Sequence, residues 1–212
     1  MSMQTLTAVS PDEAALPLRE RKKRKTRRLI INTAIELFAA RGFDDVTLED
    51  IAAVCDVSRG TVFNYFPYKE LMILEFMDAH MSDRLAAIRA GLESGTKPTK
   101  LLWQALDVPK DAAAQWPTFL CITARELLHH DQDRADAAQR CLSYLPLVAE
   151  IVAAGQAAGS IRAENKPEDL ALYLTEASLV SIARNCTRLT GADLDELISH
   201  RQQVLMNGIL AR

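Results

Sequence analysis

Apolar residues recur along most of this chain at the three-and-four spacing of an α-helix, not at the alternate spacing of a strand. The first such run sets Ile30, Ala34, Leu37 and Phe38 on one face, begins within a basic segment, and is predicted to stop at Arg41 because Gly42 follows. Thr47, with Asp50 three residues later, reads as a capping box that opens a short helix carrying Ile51, Ala52 and Cys55 on one side. Asp56, Val57 and Ser58 interrupt that helix, and Ser58 offers a fresh N-cap. In the next helix Val62 and Phe66 fall four apart and turn inward, which leaves Arg59, Gly60, Thr61, Asn64 and Tyr65 outward or along the edges until Pro67 ends the run. Two short helices joined by a tight turn make a helix-turn-helix, and that arrangement points to DNA.

Downstream, Tyr68 or Lys69 opens a longer helix through Leu71, Leu74, Met77, Met81, Leu85 and Ile88 to about Leu92, before Gly95. Helical patterning continues over residues 101–106, 117–130 and 134–158, with Pro146 expected to break or kink the last of these. Pro167 suits the first turn of a helix reaching about Leu189, and Asp193 is expected to cap a final helix holding Leu194, Leu197, Ile198, Val204, Leu205 and Ile209. In the first of these two, Leu170, Tyr173, Leu174 and Ala177 share a face while Leu172, Leu179 and Ala183 spread around it. Such a helix requires cover from two sides, one its own core and the other a partner subunit.

With 8 Gly and 8 Pro in 212 residues and little Val-Ile-Thr alternation, the chain is read as all-α. No charge-free apolar run approaches the ~18 to 20 residues that cross a bilayer, and the first 18 residues lack the charge cluster and apolar stretch of a leader, so a soluble, cytoplasmic protein is expected. Cys55, Cys121, Cys141 and Cys186 are widely spaced without a C-x-x-C pair, and are expected to be buried small hydrophobes in a reducing compartment. The net charge of −3 conceals a sharp asymmetry, because eight of the ten residues in RERKKRKTRR, positions 19–28, are basic while the rest of the chain is net negative. This basic arm adjoins the first helix, where phosphate contact or insertion into a neighbouring minor groove is expected of it.

Residues 29–76 carry four ordered motifs: A-x-x-L-F-x-x-x-G-F ending at Phe43, T-x-x-D-I-A from Thr47, V-S-x-G-T from Val57, and Y-F-P-x-K-E from Tyr65. With these motifs at these spacings the segment resembles the DNA-binding domain of the TetR family of bacterial transcriptional regulators. Two positions depart from that pattern. Asp56 stands where the family usually has glycine in the turn, at an expected cost of about 1 kcal/mol for a left-handed conformation. Tyr68 stands where a capping residue is common, so the following helix start is expected to fray.

The resemblance implies an N-terminal three-helix helix-turn-helix domain and a larger C-terminal helical domain that binds an effector and dimerises. The expected division is a disordered tail at 1–18, the basic arm and DNA-binding domain at 19–68, and the effector-binding and dimerisation domain at 69–212. It further implies a homodimer through the last two helices, reading a palindromic operator and released by a small, partly apolar effector. A DNA-binding regulator without an effector, constitutive or controlled by a protein partner, is the alternative.

Thr47, Ser58, Arg59, Gly60, Thr61, Asn64, Tyr65 and Lys69 are the candidate DNA contacts. Thr47 and Ser58 sit at helix starts, suited either to phosphate or to capping alone. Arg59 can grip guanine O6 and N7, Asn64 can pair with adenine N6 and N7, and Thr61 can offer its methyl to thymine. Gly60 lets the backbone approach closely, the Tyr65 hydroxyl can donate to phosphate, and Lys69 supplies a point charge. Phe63 is read as domain packing, with packing against the sugar-phosphate backbone as the alternative. Met77, Met81, Trp103, Trp116, Phe119, Tyr144 and Tyr173 are the candidate effector-lining residues, with Arg125, Glu126, His129 and Asn185 as further polar contacts. His129 and His130 are adjacent, so on a helix they point to different sides, and no metal is expected. No G-x-S-x-G, phosphate-binding glycine loop, H-E-x-x-H, or nucleophile and base pair occurs, so neither an enzyme nor a cofactor is expected.

Overall fold

The computed structural model describes residues 16–107, 116–141, 144–185 and 192–210. Among them are ten helices: α1 (Leu18–Arg41), α2 (Leu48–Val54), α3 (Arg59–Tyr65), α4 (Glu70–Glu93), α5 (Pro98–Leu106), α6 (Pro117–Leu127), α7 (Gln132–Cys141), α8 (Tyr144–Ala157), α9 (Pro167–Asn185) and α10 (Ala192–Ile209). The all-α reading holds, the one extended pairing among the described residues being an isolated antiparallel bridge between Ile161 and Leu210.

The chain divides into two compact units, residues 1–79 and 80–212, and the division falls inside α4 rather than before it. The reason is local: Met72, Ile73 and Phe76 of α4 are as deeply buried as Ile30, Ile35 and Phe38 of α1 and belong with them. In the first unit, α2 packs on both α1 and α3. Ile51, Val62 and Phe66 are fully buried there. Ile31 and Ile35 join Ile30, Ala34 and Phe38 in this core, whereas Leu37 is half-buried.

The turn between α2 and α3 forms as expected, with Asp56 at φ +54°. Around it the Asp56 N–H donates to the Ala53 carbonyl and the Val57 N–H to the Ala52 carbonyl at 3.0 Å, the paired bonds of a Schellman motif. Gly95 and Gly159 end α4 and α8 in the same way, where a glycine carries the positive φ without a Cβ.

Two cations clamp this unit. Arg27 of α1 donates from Nε to Glu75 of α4 at 2.8 Å and from Nη1 to the carbonyl of Tyr65, the last residue of α3, at 3.0 Å. Its guanidinium also lies 4.2 Å from the centroid of the Phe66 ring. Lys69 reaches back to the loop after α1, where its ammonium donates to the carbonyls of Phe43 and, at 3.0 Å, Val46, and sits 4.3 Å above the Phe43 ring. Lys69 is therefore a structural clamp, and its expected role as a phosphate charge is corrected: three loop carbonyls and an aromatic face already occupy it.

The second unit has its own core, centred on Leu102, Leu147, Val148, Ile151, Val152 and Ala171 of α5, α8 and α9. α9 packs on α5, α6, α8 and α10, which makes it the central element of the unit. Pro146 does not kink a long helix. It lies in the first turn of α8, where the missing N–H has no intrahelical partner to lose. Asp193 lies inside α10 rather than before it. The side chains of Leu179, Ala183, Asn185 and Leu194, and the 1–15 part of the expected disordered tail, lie outside what the structure describes.

Cys55 is free and buried, and burial raises its thiol above the ordinary value, as suits a small core residue. Cys121 departs from the same expectation, being disulfide-bonded. Sequence spacing carries no information on the Cα separation of ~4.4 to 6.8 Å that such a bond requires. The Cys141 side chain and Cys186 lie outside the description.

Two stability measurements follow. Asp56→Gly relieves the left-handed strain and is expected to raise stability by up to about 1 kcal/mol in a urea titration; a loss would mean that the Asp56 side chain supports the turn. Lys69→Met is expected to lower stability by about 2 kcal/mol through the lost charged hydrogen bonds, while an unchanged urea midpoint with weakened DNA binding would return Lys69 to the phosphates.

Candidate nucleic-acid interface

The surface that can meet DNA is set by which side of α3 is left free. Val62 is fully buried on one side, and Arg59, Gly60, Phe63 and Asn64 are exposed on the other at the i, i+1, i+4 and i+5 positions of a single helical face. Phe63, 53% exposed, is part of this face and not of the domain core. Its position was available from the sequence, since it lies four residues after Arg59 and one turn along the same side, but the apolar side chain masked that register.

The start of α3 is fixed by Ser58, whose Oγ accepts from the Thr61 N–H at 3.0 Å and lies 2.8 Å from the Thr61 hydroxyl. Thr61 is half-buried beside it, so its hydroxyl is engaged within the protein. α2 is fixed by the full capping box: Asp50 N–H donates to Thr47 Oγ1 at 3.1 Å, and Thr47 N–H to Asp50 Oδ2 at 2.9 Å. The Thr47 hydroxyl, which donates to Asp50 Oδ2 at 2.7 Å, and then the Thr47 N–H, helped by the Arg41 guanidinium, hold the Asp50 carboxyl below its usual range. Capping is thus the observed role of both Thr47 and Ser58. Tyr65 is half-buried at the end of α3, with its carbonyl held by Arg27.

Arg59 is 70% exposed at its side chain and paired with Glu49 of α2 across 2.7 Å. An ion pair this exposed contributes little to stability. The pair engages Nε of Arg59, and a guanidinium carries further N–H donors on its two terminal nitrogens.

The second unit places the remaining candidates unevenly. Phe119 is buried, Met81 and Tyr144 pack against the core, and Trp116 meets His80 edge to face at 4.6 Å. Met77 is buried but belongs to the first unit. Tyr173 is 60% exposed on α9, and its expected place in an interior lining is corrected, because Leu170 and Leu174 take the buried side of that helix. Trp103 is at the surface as well, 37% exposed. Glu126 is buried, but its carboxylate is committed to Arg134, at 3.0 and 2.7 Å from Nε and Nη2. His129 and His130 lie beyond the end of α6, so helix geometry does not separate them, and their rings stack at 4.5 Å.

Sequence reasoning missed two interior hydroxyls. Thr123 of α6 and Thr175 of α9 are more than nine-tenths buried; among the described residues the Thr123 hydroxyl has no hydrogen-bond partner, while that of Thr175 meets the Tyr144 phenol. Ser178 and Ser181, on the same helix as Thr175, bond back to the carbonyls of Leu174 and Ala177 in the usual helical manner. Thr175 instead lies beside the phenol of Tyr144, which burial above all pushes up to about 12, the Thr175 hydroxyl opposing that rise. No helix among the described residues is long and apolar enough to cross a membrane, and among them no group of three His, Cys, Asp or Glu converges as a metal site.

Comparison with known proteins agrees with this geometry over both units. Residues 30–76 match the family model of bacterial regulatory proteins of the tetR family, and residues 79–208 match that of the C-terminal domain of TetR/AcrR family transcriptional repressors. The HTH-type transcriptional regulator TcmR of Streptomyces glaucescens is 41% identical over 71 residues, 34% of this chain and 31% of that protein, so the matched stretch spans about a third of this curated relative. Among solved structures, FadR of Thermus thermophilus, a TetR-family repressor in complex with lauroyl-CoA, is 32% identical, with a TM-score of 0.77 over 88% of this chain and 96% of that one. FadR of Bacillus subtilis, in complex with stearoyl-CoA, shares the fold at 19% identity, with a TM-score of 0.61 over 85% and 98% of the two chains. With both of its units matched, the chain belongs to the TetR family of bacterial transcriptional regulators and is a DNA-binding transcriptional repressor.

Proposed function

We propose that this repressor is a homodimer that occupies a palindromic operator and is released from it by a fatty acyl-CoA thioester. The observation that carries the effector class is the 32% identity, over nearly the whole of both chains, to a repressor that binds lauroyl-CoA. An effector with a long apolar part and a carbonyl suits an interior built largely of Leu, Ile and Val that also holds the Thr123 hydroxyl without a partner. A buried hydroxyl left unpaired costs about 1 to 3 kcal/mol, and a ligand acceptor recovers part of that.

Tyr173 of α9 and Val204 of α10 support dimerisation through the last two helices. They are large apolar side chains 60% and 59% exposed on two helices that pack on one another. Two copies related by a two-fold axis set their α3 helices into half-sites about 34 to 36 Å apart, or a multiple of that. In this reading Arg59 and Asn64 carry the base readout, Phe63 meets thymine methyl or sugar, and Gly60 allows close approach. The effector acts only through a difference in its affinity for the operator-competent and released states. α4, which contributes residues to both units, is the element through which that difference reaches α3.

Arg59→Ala is expected to cost about 1 to 3 kcal/mol of specific operator binding, measured by fluorescence anisotropy, with an unchanged melting temperature. Unaltered operator affinity would remove Arg59 from the readout. Titration of the protein-operator complex with medium- and long-chain acyl-CoA is expected to release the DNA, and free coenzyme A is not. If no chain length releases it, the effector class is wrong and the reading without a small-molecule effector takes its place.

A further inference from the structure

The basic arm is helical. Arg19, Arg21, Lys22, Lys23, Arg24 and Lys25 occupy the first turns of α1, all are exposed, and among the described residues none of them makes an ion pair or a side-chain hydrogen bond. Arg27, two residues further on, is by contrast clamped to the end of α3 through the Tyr65 carbonyl and the Phe66 ring. The arm therefore leaves the folded unit beside the C-terminal end of the reading helix. At ~1.5 Å per residue it extends from about 3 to about 12 Å beyond Arg27.

Little within the chain favours a helix there. Pro17 stands at the N-cap without a side-chain hydrogen bond, and Glu20 is the one acidic residue of the first turn. Arg19 has like charges at Lys22 and Lys23, and Arg21 has them at Arg24 and Lys25, the three- and four-residue separations at which side chains repel. Positive charge at a helix N-terminus also opposes the macrodipole. An external polyanion removes each of these penalties.

We infer that residues 19–25 form a helical rail that binds the phosphate backbone of the operator DNA just outside the half-site read by α3. This inference rests on the assignment of α3 as the reading helix. The geometry selects the backbone over the minor groove, because a helix with its side chains is ~10 to 12 Å across and the minor groove is ~6 Å wide. Charge around the whole circumference also fits phosphates, which carry no sequence information, better than base edges.

The test uses the full chain and two duplexes, the selected operator alone and the same operator with about six further base pairs on each side. Arg19→Gln, Lys22→Gln and Lys23→Gln are combined in one variant, which keeps helix-forming side chains, and Lys22→Arg with Lys23→Arg serves as the charge-preserving control. For the wild type, the flanked duplex is expected to bind tighter and with a steeper dependence on salt. In the glutamine variant the benefit of the flanks disappears and the slope of log K against log salt falls by about 0.9 for each lost phosphate contact. It retains the sequence preference on the short duplex, and the arginine control behaves as wild type. Equal salt slopes and equal flank dependence in wild type and glutamine variant would overturn the rail, as would binding of the arm to anionic phosphatidylglycerol vesicles with no change in DNA slope. Loss of sequence preference in the glutamine variant would also overturn it, by placing the arm in the reading itself. If instead the wild type shows no sequence preference, α3 is not the reading helix and the rail falls with the assignment it rests on.

Discussion

A reading helix of seven residues cannot hold itself. Isolated helices shorter than ~12 to 15 residues are marginal in water, so α3 exists because something outside it fixes both of its ends and its inner side. Ser58 caps the first turn, Val62 is the buried side chain within the helix, Phe66 is the buried residue just after it, and Arg27 donates to the last carbonyl while also donating to Glu75 on α4. Every property of the exposed face follows from that restraint, since Arg59, Gly60, Phe63 and Asn64 are outward only while Val62 and Phe66 are inward. Lys69 adds to the same restraint by tying the loop after α1 to the start of α4, while Arg27 ties α1 itself to α4.

Much of this was legible in the residues. Capping box, turn, breaker proline and inward pair are short-range signals, each with its own local chemistry, and Thr47, Asp56, Ser58, Val62 and Phe66 do in the structure what their types dictate. Long-range partners were not legible. Nothing near Lys69 in sequence announces the carbonyls of Phe43 and Val46, more than twenty residues away, and a lysine at the edge of a DNA-binding motif invites assignment to phosphate. Tyr173 failed for a related reason, because a helix with apolar residues on several faces does not say which face meets its own core. Phe63 is the converse, where the register was correct but hydrophobicity was allowed to overrule it.

In the second unit the sequence singles out no effector site. Its core is an ordinary set of aliphatic side chains, and the informative groups are hydroxyls that are conspicuous only because other hydroxyls on the same helix behave normally. Thr175 differs from Ser178 and Ser181 in lacking a bond back to a carbonyl of its own helix, a property no residue name encodes. Burial and bonding together, not residue type, mark the positions where a ligand has polar work left to do.

The reading of α3 as a sequence-specific element is the claim on which the operator, the effector response and the role of the basic arm all depend. Selection of fragments bound by the purified protein from genomic DNA, at moderate salt and followed by sequencing, tests it most directly. The account predicts enrichment of an inverted repeat whose half-site centres lie one helical turn, or a multiple of one, apart. Uniform recovery with no enriched sequence would contradict it.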